Sequence, residues 1–319
     1  MPAQEFRHAI FACIRWLIDA MLHGLTTSVG ALVMPKWIPY QFTTEQAWDN
    51  TPGLQPDSVC RVLAVGDIHG EIRHLRNAVA RAAELDVQAI VQIGDFWLDD
   101  AGWDRHGATE AKFMWAAHGS RIPIIVVDGN HEAWPSLRRY WQMPDARTAV
   151  ASRRPLHLGG SLWWAWRGSV WQWAYARCGA LGGAVSPDRE DRDVRRWRWP
   201  EEATTQDDLD RLIRNAETDH AGQLDVLFTH DAPEQVRGLV PGISWAPPAV
   251  QASCNENRRL LADAVDHTEA RLVIHGHWHQ ANRENISPSA EVIGLSNDGR
   301  PDHLALLTLD DPPRCEHLP

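Results

Sequence analysis

Residues 62–70 read Val-Leu-Ala-Val-Gly-Asp-Ile-His-Gly: four apolar residues, a glycine that ends the run, then an aspartate and a histidine. A short unbroken apolar run suits a strand covered on both faces, as in a sheet between layers of helix. Polar side chains just beyond the carboxyl end of such a strand are where open α/β sheets place their sites. The same arrangement recurs along the chain. Ala89–Ile93 leads to Gly94-Asp95, and Ile122–Val127 to Gly129-Asn130-His131-Glu132. Leu224–Phe228 leads to Thr229-His230-Asp231, and Arg271–Ile274 to Gly276-His277-Trp278-His279. One such junction is weak evidence; five in succession predict a site assembled from five strand ends.

Between these strands, Glu71–Leu85 and a stretch around 108–117 read as helices, and Glu291–Leu295 and His303–Leu309 as further strands. Short apolar strands separated by helices predict a largely parallel, sandwiched sheet. The texture changes over Leu156–Val185, where aromatic or apolar residues alternate with others around Arg167-Gly168, and this predicts β-hairpins. A charged stretch follows from Ser186 to Glu202 and holds Trp197 and Trp199. Near the N terminus Phe6, Ile10, Ile14, Leu17, Met21 and Leu25 recur at helical spacing, with Arg7, Arg15, Asp19 and His23 mostly on the other side. Such an amphipathic helix can dock on the protein's own body or on a partner or membrane surface. Residues 35–58, rich in Pro, Thr, Gln and Asp, predict a linker. The expected division is residues 1–58 for helix and linker and 59–312 for the main domain, with a hairpin and charged-loop insertion at about 151–205.

The bulk numbers fit a globular protein: 319 residues, 44% hydrophobic and 23% charged. A net charge of −11 argues against a polyanion such as DNA as the favoured partner. The cysteines (Cys13, Cys60, Cys178, Cys254 and Cys315) are odd in number and form no CxxC pair, which fits a reducing compartment better than a disulfide framework. The most apolar stretch, Ala9–Met34, is broken by Arg15, Asp19 and His23, so no membrane span is expected and a cytoplasmic protein is.

The residue types at the five junctions carry the chemistry. Asp67, His69, Asp95, Asn130, His230, His277 and His279 offer oxygen and imidazole nitrogen without thiolate, which suits Zn²⁺, Mn²⁺ or Fe in an open catalytic site. These are too many donors for one tetrahedral ion and suit two ions sharing a carboxylate, at a separation of about 3.5–4 Å. Without metal, Asp67 and Asp95 make the cleft anionic; two divalent ions against two carboxylates and one hydroxide leave about +1, which draws in a phosphate ester.

The ordered set GDIHG, GD, GNHE, TH and GHWH resembles the calcineurin-like metallophosphoesterase superfamily over about Arg61–Leu309. The resemblance implies an α/β fold, a four-layer αββα sandwich, here with an N-terminal helical extension. It also implies two divalent ions, with Asp67, His69 and His279 on the first, Asn130, His230 and His277 on the second, and Asp95 bridging them. It puts His131 in the position of the acid that protonates the leaving group, after in-line attack on phosphorus by a metal-bridging hydroxide. A small phosphoester or a nucleotide is the implied substrate. Two departures argue against a protein serine/threonine phosphatase, which carries Asp-Arg-Gly after the second motif and an arginine before GNHE. Here the residues are Asp95-Phe96-Trp97-Leu98-Asp99-Asp100, and Asp128 precedes Gly129. Leu98 stands where those enzymes have the acidic partner of the catalytic histidine, and Asp99 or Asp100 is the substitute to consider. The stretch from Gly179 to Glu202 resembles a feature of bacterial and phage members, a loop lying over the metals.

Several residues keep two readings. His275 lacks a ligand position in the pattern and is expected to support or pack. Asp231 and Glu132 can orient neighbouring ligands or cap a helix. Trp163, Trp164, Trp166, Trp171 and Trp173 are expected to pack on a sheet face, with stacking on a nucleobase as the alternative. Arg196 and Arg198, with Arg195, Trp197 and Trp199, are candidates for contacting a substrate phosphate, against a solvated charged loop. A nuclease or cyclic-nucleotide phosphodiesterase of the same superfamily is the alternative enzyme, and a silent protein-binding scaffold the rival from another class.

Overall fold

Strand β1 (Arg61–Val65) is buried from Val62 to Val65, as its apolar run requires. It lies parallel to β2 (Ala89–Ile93), which lies parallel to β3 (Ile124–Val127), and both are buried throughout. The computed structural model describes residues 44–96, 119–189 and 199–319. The expected amphipathic helix over 6–25, the helix over 108–117, Leu98, Asp99 and Asp100, and Arg195, Arg196, Trp197 and Arg198 lie outside the described residues.

Two mixed sheets carry the fold. In the first, β3 continues parallel to β5 (Leu162–Ala165), with β4 (Leu156–Gly159) antiparallel at the edge. On the other side β1 pairs antiparallel with β12 (Leu304–Thr308), and β12 with β13 (Arg314–His317). The second sheet runs β10 (Asn282–Asn285), β11 (Glu291–Gly294), β9 (Leu272–His275), β8 (Val226–Thr229), β7 (Ala176–Leu181) and β6 (Val170–Trp173).

Strand alternation sorts the apolar side chains into layers. Val62, Ala64, Val91, Ile93, Ile125 and Val127 of the first sheet share one core cluster with Trp173, Ala180, Val226, Phe228, Leu272 and Ile274 of the second. Their neighbours in sequence point outward. Leu63, Val65, Ile90 and Val126 pack with residues of three helices, α2 (Ile72–Glu84), α3 (Trp134–Trp141) and α4 (Pro144–Ser152). On the far face Leu227, Val273 and Val292 pack with α5 (Gln206–His220) and α6 (Pro248–Thr268). The result is helix, sheet, sheet, helix, the expected sandwich.

Three findings adjust the expectations, and a fourth, the packing of the tryptophans, agrees with them. The 151–205 tract, set apart above as an insertion, supplies four strands to the sheets themselves: β4 and β5 to the first, β6 and β7 to the second. Its five tryptophans are all buried, so their rings are packed in the protein and not open to a nucleobase. Part of the expected linker also packs. Helix α1 (Thr44–Asp49) brings Trp48 edge-on to Trp163 with ring centres 5.4 Å apart, and Leu54 is fully buried in the inter-sheet core. The last strand, β13, lies beyond the boundary expected at 312. Among the described residues no helix is long and apolar enough to cross a membrane.

Candidate metal centre

Strands β1, β2 and β3 of one sheet and β8 and β9 of the other end side by side, and the polar clusters of the sequence sit on the loops that leave them. Asp67, Asp95, Asn130 and His230 are buried, His69, His131 and His277 are partly buried, and His279 is exposed. All seven predicted donors and His131 are brought to this one place. Three groupings each converge to within 4.8 Å: Asp67 with His69 and His279, Asp95 with His69 and His131, and Asp95 with His230 and His277. Asn130 joins the last through its Oδ1, 2.9 Å from His230 Nε2.

The loops reach this geometry at a cost in backbone strain. His69, Asp95, His277 and His279 hold φ of 44°, 52°, 66° and 53°, the left-handed region that residues with a Cβ avoid. Each such residue costs on the order of 1–3 kcal/mol and persists only where its surroundings over-determine it. Here the surroundings are hydrogen bonds to the acids. His131 N–H donates to Asp95 Oδ1 at 2.9 Å, His69 N–H to the Asp95 carbonyl at 2.9 Å, and His277 N–H to Asp67 Oδ1 at 3.1 Å. Glycine matters at Gly276 for close approach, since a Cβ there would overlap the Asp67 carboxylate. The turn that separates His277 from His279 is made by those two residues themselves.

Donor chemistry tests whether cations fit. His230 Nδ1 lies 2.7 Å from the carbonyl of Ile93, an acceptor, so its proton sits on Nδ1 and its Nε2 presents a lone pair. That lone pair faces two oxygens, Asn130 Oδ1 at 2.9 Å and Asp95 Oδ1 at 3.3 Å. Lone pairs converging in this way need a positive centre among them. Asp95 Oδ2 lies 3.5 Å from His69 Nε2 and 3.9 Å from His131 Nε2, and Asp67 Oδ2 lies 3.1 Å from His279 Nε2. Protonation answers the same demand. Burial disfavours charge on His230, yet the Asp95 and Asp67 carboxylates outweigh it and raise the ring to about 10. His69 is likewise raised to about 9 against its burial, by Asp95 first and then Asp67. His277, withdrawn from water and beside the positive His230, is pushed down to about 3, which leaves its lone pair free for a cation. Asp95 is held well below the carboxylate range, because the surrounding histidines outweigh the burial that would raise it. Oxygen and imidazole donors crowded on two buried acids fit divalent transition metals.

A supporting shell orients these groups. Glu132 Oε1 accepts the Phe96 N–H at 2.9 Å and the Gly129 N–H at 3.3 Å, so it ties the Asp95 loop to the Asn130 loop. Asp231 accepts from Trp278 Nε1 at 2.8 Å, Ala232 N–H at 2.7 Å and Asn257 Nδ2 at 2.9 Å. Both acids therefore orient ligand loops. Trp278 is pinned beneath the loop, its ring 5.2 Å from the buried Arg258 guanidinium. His275 is buried, its Nδ1 2.9 Å from the Gly276 carbonyl, and burial lowers its pKa; it packs, as expected.

Sequence reasoning missed four supporting groups. Asp298 places Oδ1 3.4 Å from His69 Nδ1 and Oδ2 3.4 Å from His74 Nε2. Arg167, stacked 4.6 Å over Trp134, donates to Asp128 Oδ2 at 2.7 Å and to the carbonyls of Glu201 and Glu202. Ser186 and Glu202 stand behind Asn130. Asp298 had a signal, since Ser296-Asn297-Asp298 follows β11 as the five other clusters follow their strands. The others had none, because their partners are brought together only by the fold.

The sequence profile of the calcineurin-like phosphoesterases matches residues 60–281. No curated protein matches the chain in sequence. Solved structures do match in fold. Protein TT1561 of Thermus thermophilus is 16% identical, with 81% of this chain and 99% of that chain covered, at a TM-score of 0.50. A dimetal phosphatase from Danio rerio is also 16% identical, covering 78% of this chain and 92% of its own, at 0.48. At 16% identity the first of these speaks to the fold alone and the second carries no argument; the profile, spanning more than half of the chain and enclosing all the clustered donors, speaks to the family. This chain belongs to the calcineurin-like phosphoesterase family, as a metal-dependent hydrolase of phosphoric esters.

Proposed function

We propose that Asp67, His69 and His279 hold one divalent ion, that Asn130, His230 and His277 hold a second, and that Asp95 serves both. The observation that carries this reading is the division of the Asp95 carboxylate: Oδ1 faces His230 at 3.3 Å, and Oδ2 faces His69 at 3.5 Å. Manganese, zinc and iron all suit these donors. When bound, such ions supply positive charge at the phosphoryl oxygens and make water acidic enough to provide a nucleophile near neutral pH.

The chain's own residues do the rest. The buried acids and the hydrogen bonds to their oxygens hold the donor atoms in place before substrate arrives, so no reorganisation is needed during the reaction. His131, about a quarter exposed and 3.9 Å from Asp95 Oδ2, borders the cleft and is tied to it through its own N–H. In this reading its imidazole N–H gives a proton to the departing oxygen, which leaves as an alcohol. Arg196 and Arg198 remain candidates for holding the non-reacting phosphate oxygens. The substrate is a small phosphoester or a nucleotide.

Hydrolysis of p-nitrophenyl phosphate and bis-p-nitrophenyl phosphate with added Mn²⁺ tests the reading and separates monoesterase from diesterase. His131→Ala should lower kcat by about 10²–10⁴-fold, the usual worth of a general acid, while Mn²⁺ binding stays at wild-type strength. A wild-type rate in that variant removes the acid role.

A further inference from the structure

We infer that Ser186 and Glu202 are positioning residues that set which end of the Asn130 amide faces the centre. An asparagine has an oxygen that accepts and a nitrogen that donates, and only the oxygen can serve a cation. The two ends have nearly the same shape, so packing alone does not choose between them. The hydrogen bonds do. Asn130 Nδ2 donates to Ser186 Oγ at 2.8 Å, and Ser186 Oγ donates to Glu202 Oε2 at 2.8 Å. Glu202 Oε1 accepts the Trp199 N–H at 2.8 Å.

The direction of this chain follows from its last member. A serine hydroxyl has one proton, and here it is committed to a carboxylate. Its oxygen can then meet Asn130 only as an acceptor, so the amide must turn Nδ2 toward Ser186 and leave Oδ1 toward His230 and Asp95. All three side chains are buried, so water is not at hand to substitute. Glu202 is itself held in place, because its carbonyl and that of Glu201 accept from Arg167, which pairs with Asp128 two residues before Asn130. The inference rests on the reading of Asn130 as a metal donor.

The test is calorimetric titration of Mn²⁺ into metal-free full-length protein, alongside thermal melts. In Glu202→Gln the new amide keeps the Trp199 bond through its oxygen and points N–H at Ser186 Oγ. The serine proton must then turn to Asn130, which favours the reversed amide. One of the two Mn²⁺ sites should weaken by about 10–100-fold, the usual effect of losing an orienting partner, with the other unchanged. The double variant N130D/E202Q restores a complete chain running the other way, from the introduced amide through Ser186 to the introduced carboxylate. In the N130D background the E202Q loss should therefore vanish, whereas a packing role gives the same loss in both backgrounds. Wild-type Mn²⁺ affinity at both sites of E202Q, or equal losses in the two backgrounds, overturns the inference. If N130A also leaves both sites unchanged, the assignment of Asn130 itself has failed. Should E202Q not fold, Ser186→Ala removes the acceptor and should weaken the same site.

Discussion

The two halves of the centre use the same donor types at different depths. Around His230 and Asn130 the side chains are buried, and each is held by a partner that cannot leave: a main-chain carbonyl for the imidazole and a hydroxyl–carboxylate chain for the amide. Around Asp67 the acid is buried, but His279 is 41% exposed and His69 20%, and the orienting contact of His69 to Asp298 is long at 3.4 Å. Water can stand in for a missing donor at His279, and not at His230 or Asn130. In this reading the inner half fixes one ion and the outer half holds one that exchanges.

Asp95 is the point where that contrast disappears, since one of its oxygens faces His230 and the other His69. Asp95→Asn should therefore produce the largest loss, about 10³-fold or more in kcat/KM, because it removes the negative charge and replaces one of the two cation-facing oxygens with an NH₂, while the remaining oxygen can still accept the His131 N–H. Steady-state hydrolysis with metal analysis checks it. Two ions retained at wild-type affinity together with a wild-type rate would break the comparison at its centre.

Metal removal comes next. At an ion concentration about 100 times its Kd, binding adds about 2.7 kcal/mol to stability. For a chain of 319 residues, with an unfolding entropy of about 2.1 cal/mol/K per residue, that is a Tm higher by about 4 °C per ion. The effect should be pronounced here because the strained His69, Asp95, His277 and His279 backbones and the paired acids lose part of their compensation when the cations leave. Differential scanning calorimetry with and without chelator measures the shift. Withdrawal of ions in two phases, the first leaving the second in place, is the outcome that separates the halves.

How far this was legible before folding follows the same divide between local and assembled features. Strands β1, β2, β3, β8 and β9 each announce themselves by an apolar run that stops at a polar cluster, and the donors are local to those ends. Helix α6 does not, because it buries Asn257 and Arg258 among its apolar residues, so its stripe is interrupted. Arg258 is there to meet carbonyls of the 232–236 loop, a tertiary reason with no trace in spacing. The tryptophan tract reads as hairpins, which it is, yet nothing local says that one hairpin belongs to each sheet. Asp298 was readable by the strand-end rule. Glu202 was not, since it lies sixteen positions beyond Ser186 across a charged stretch and only the fold makes them neighbours.

Paired truncations sharpen the contrast in depth. His230→Ala removes a ring nitrogen from a fully buried place and leaves the Ile93 carbonyl there without its N–H. His279→Ala leaves a gap that solvent fills. A buried unmet polar group costs about 1–3 kcal/mol, so His230→Ala should weaken its ion about tenfold more than His279→Ala weakens its own. Mn²⁺ titration of the two variants decides it, and equal losses would mean that depth does not govern affinity.

The smallest expected effect lies with Asp298, the counterpart in the outer half of Glu202 in the inner one. Its carboxylate lies between His69 Nδ1 and His74 Nε2 at 3.4 Å each, and its own N–H is bonded to the Asp67 carbonyl at 2.8 Å. Asp298→Asn keeps that backbone bond and the shape while removing the charge that steadies the His69 ring. Orienting partners of ligands are usually worth 10–100-fold in affinity. Contacts this long on a ring that is partly open to solvent place Asp298 at or below the lower end of that range, with only the outer ion affected. Because the Asn130 amide has two ends to choose between and the His69 ring is also held by its backbone at Asp95, Glu202→Gln should exceed Asp298→Asn. Reversal of that order in Mn²⁺ titration would place the stricter control in the exposed half and invert the comparison.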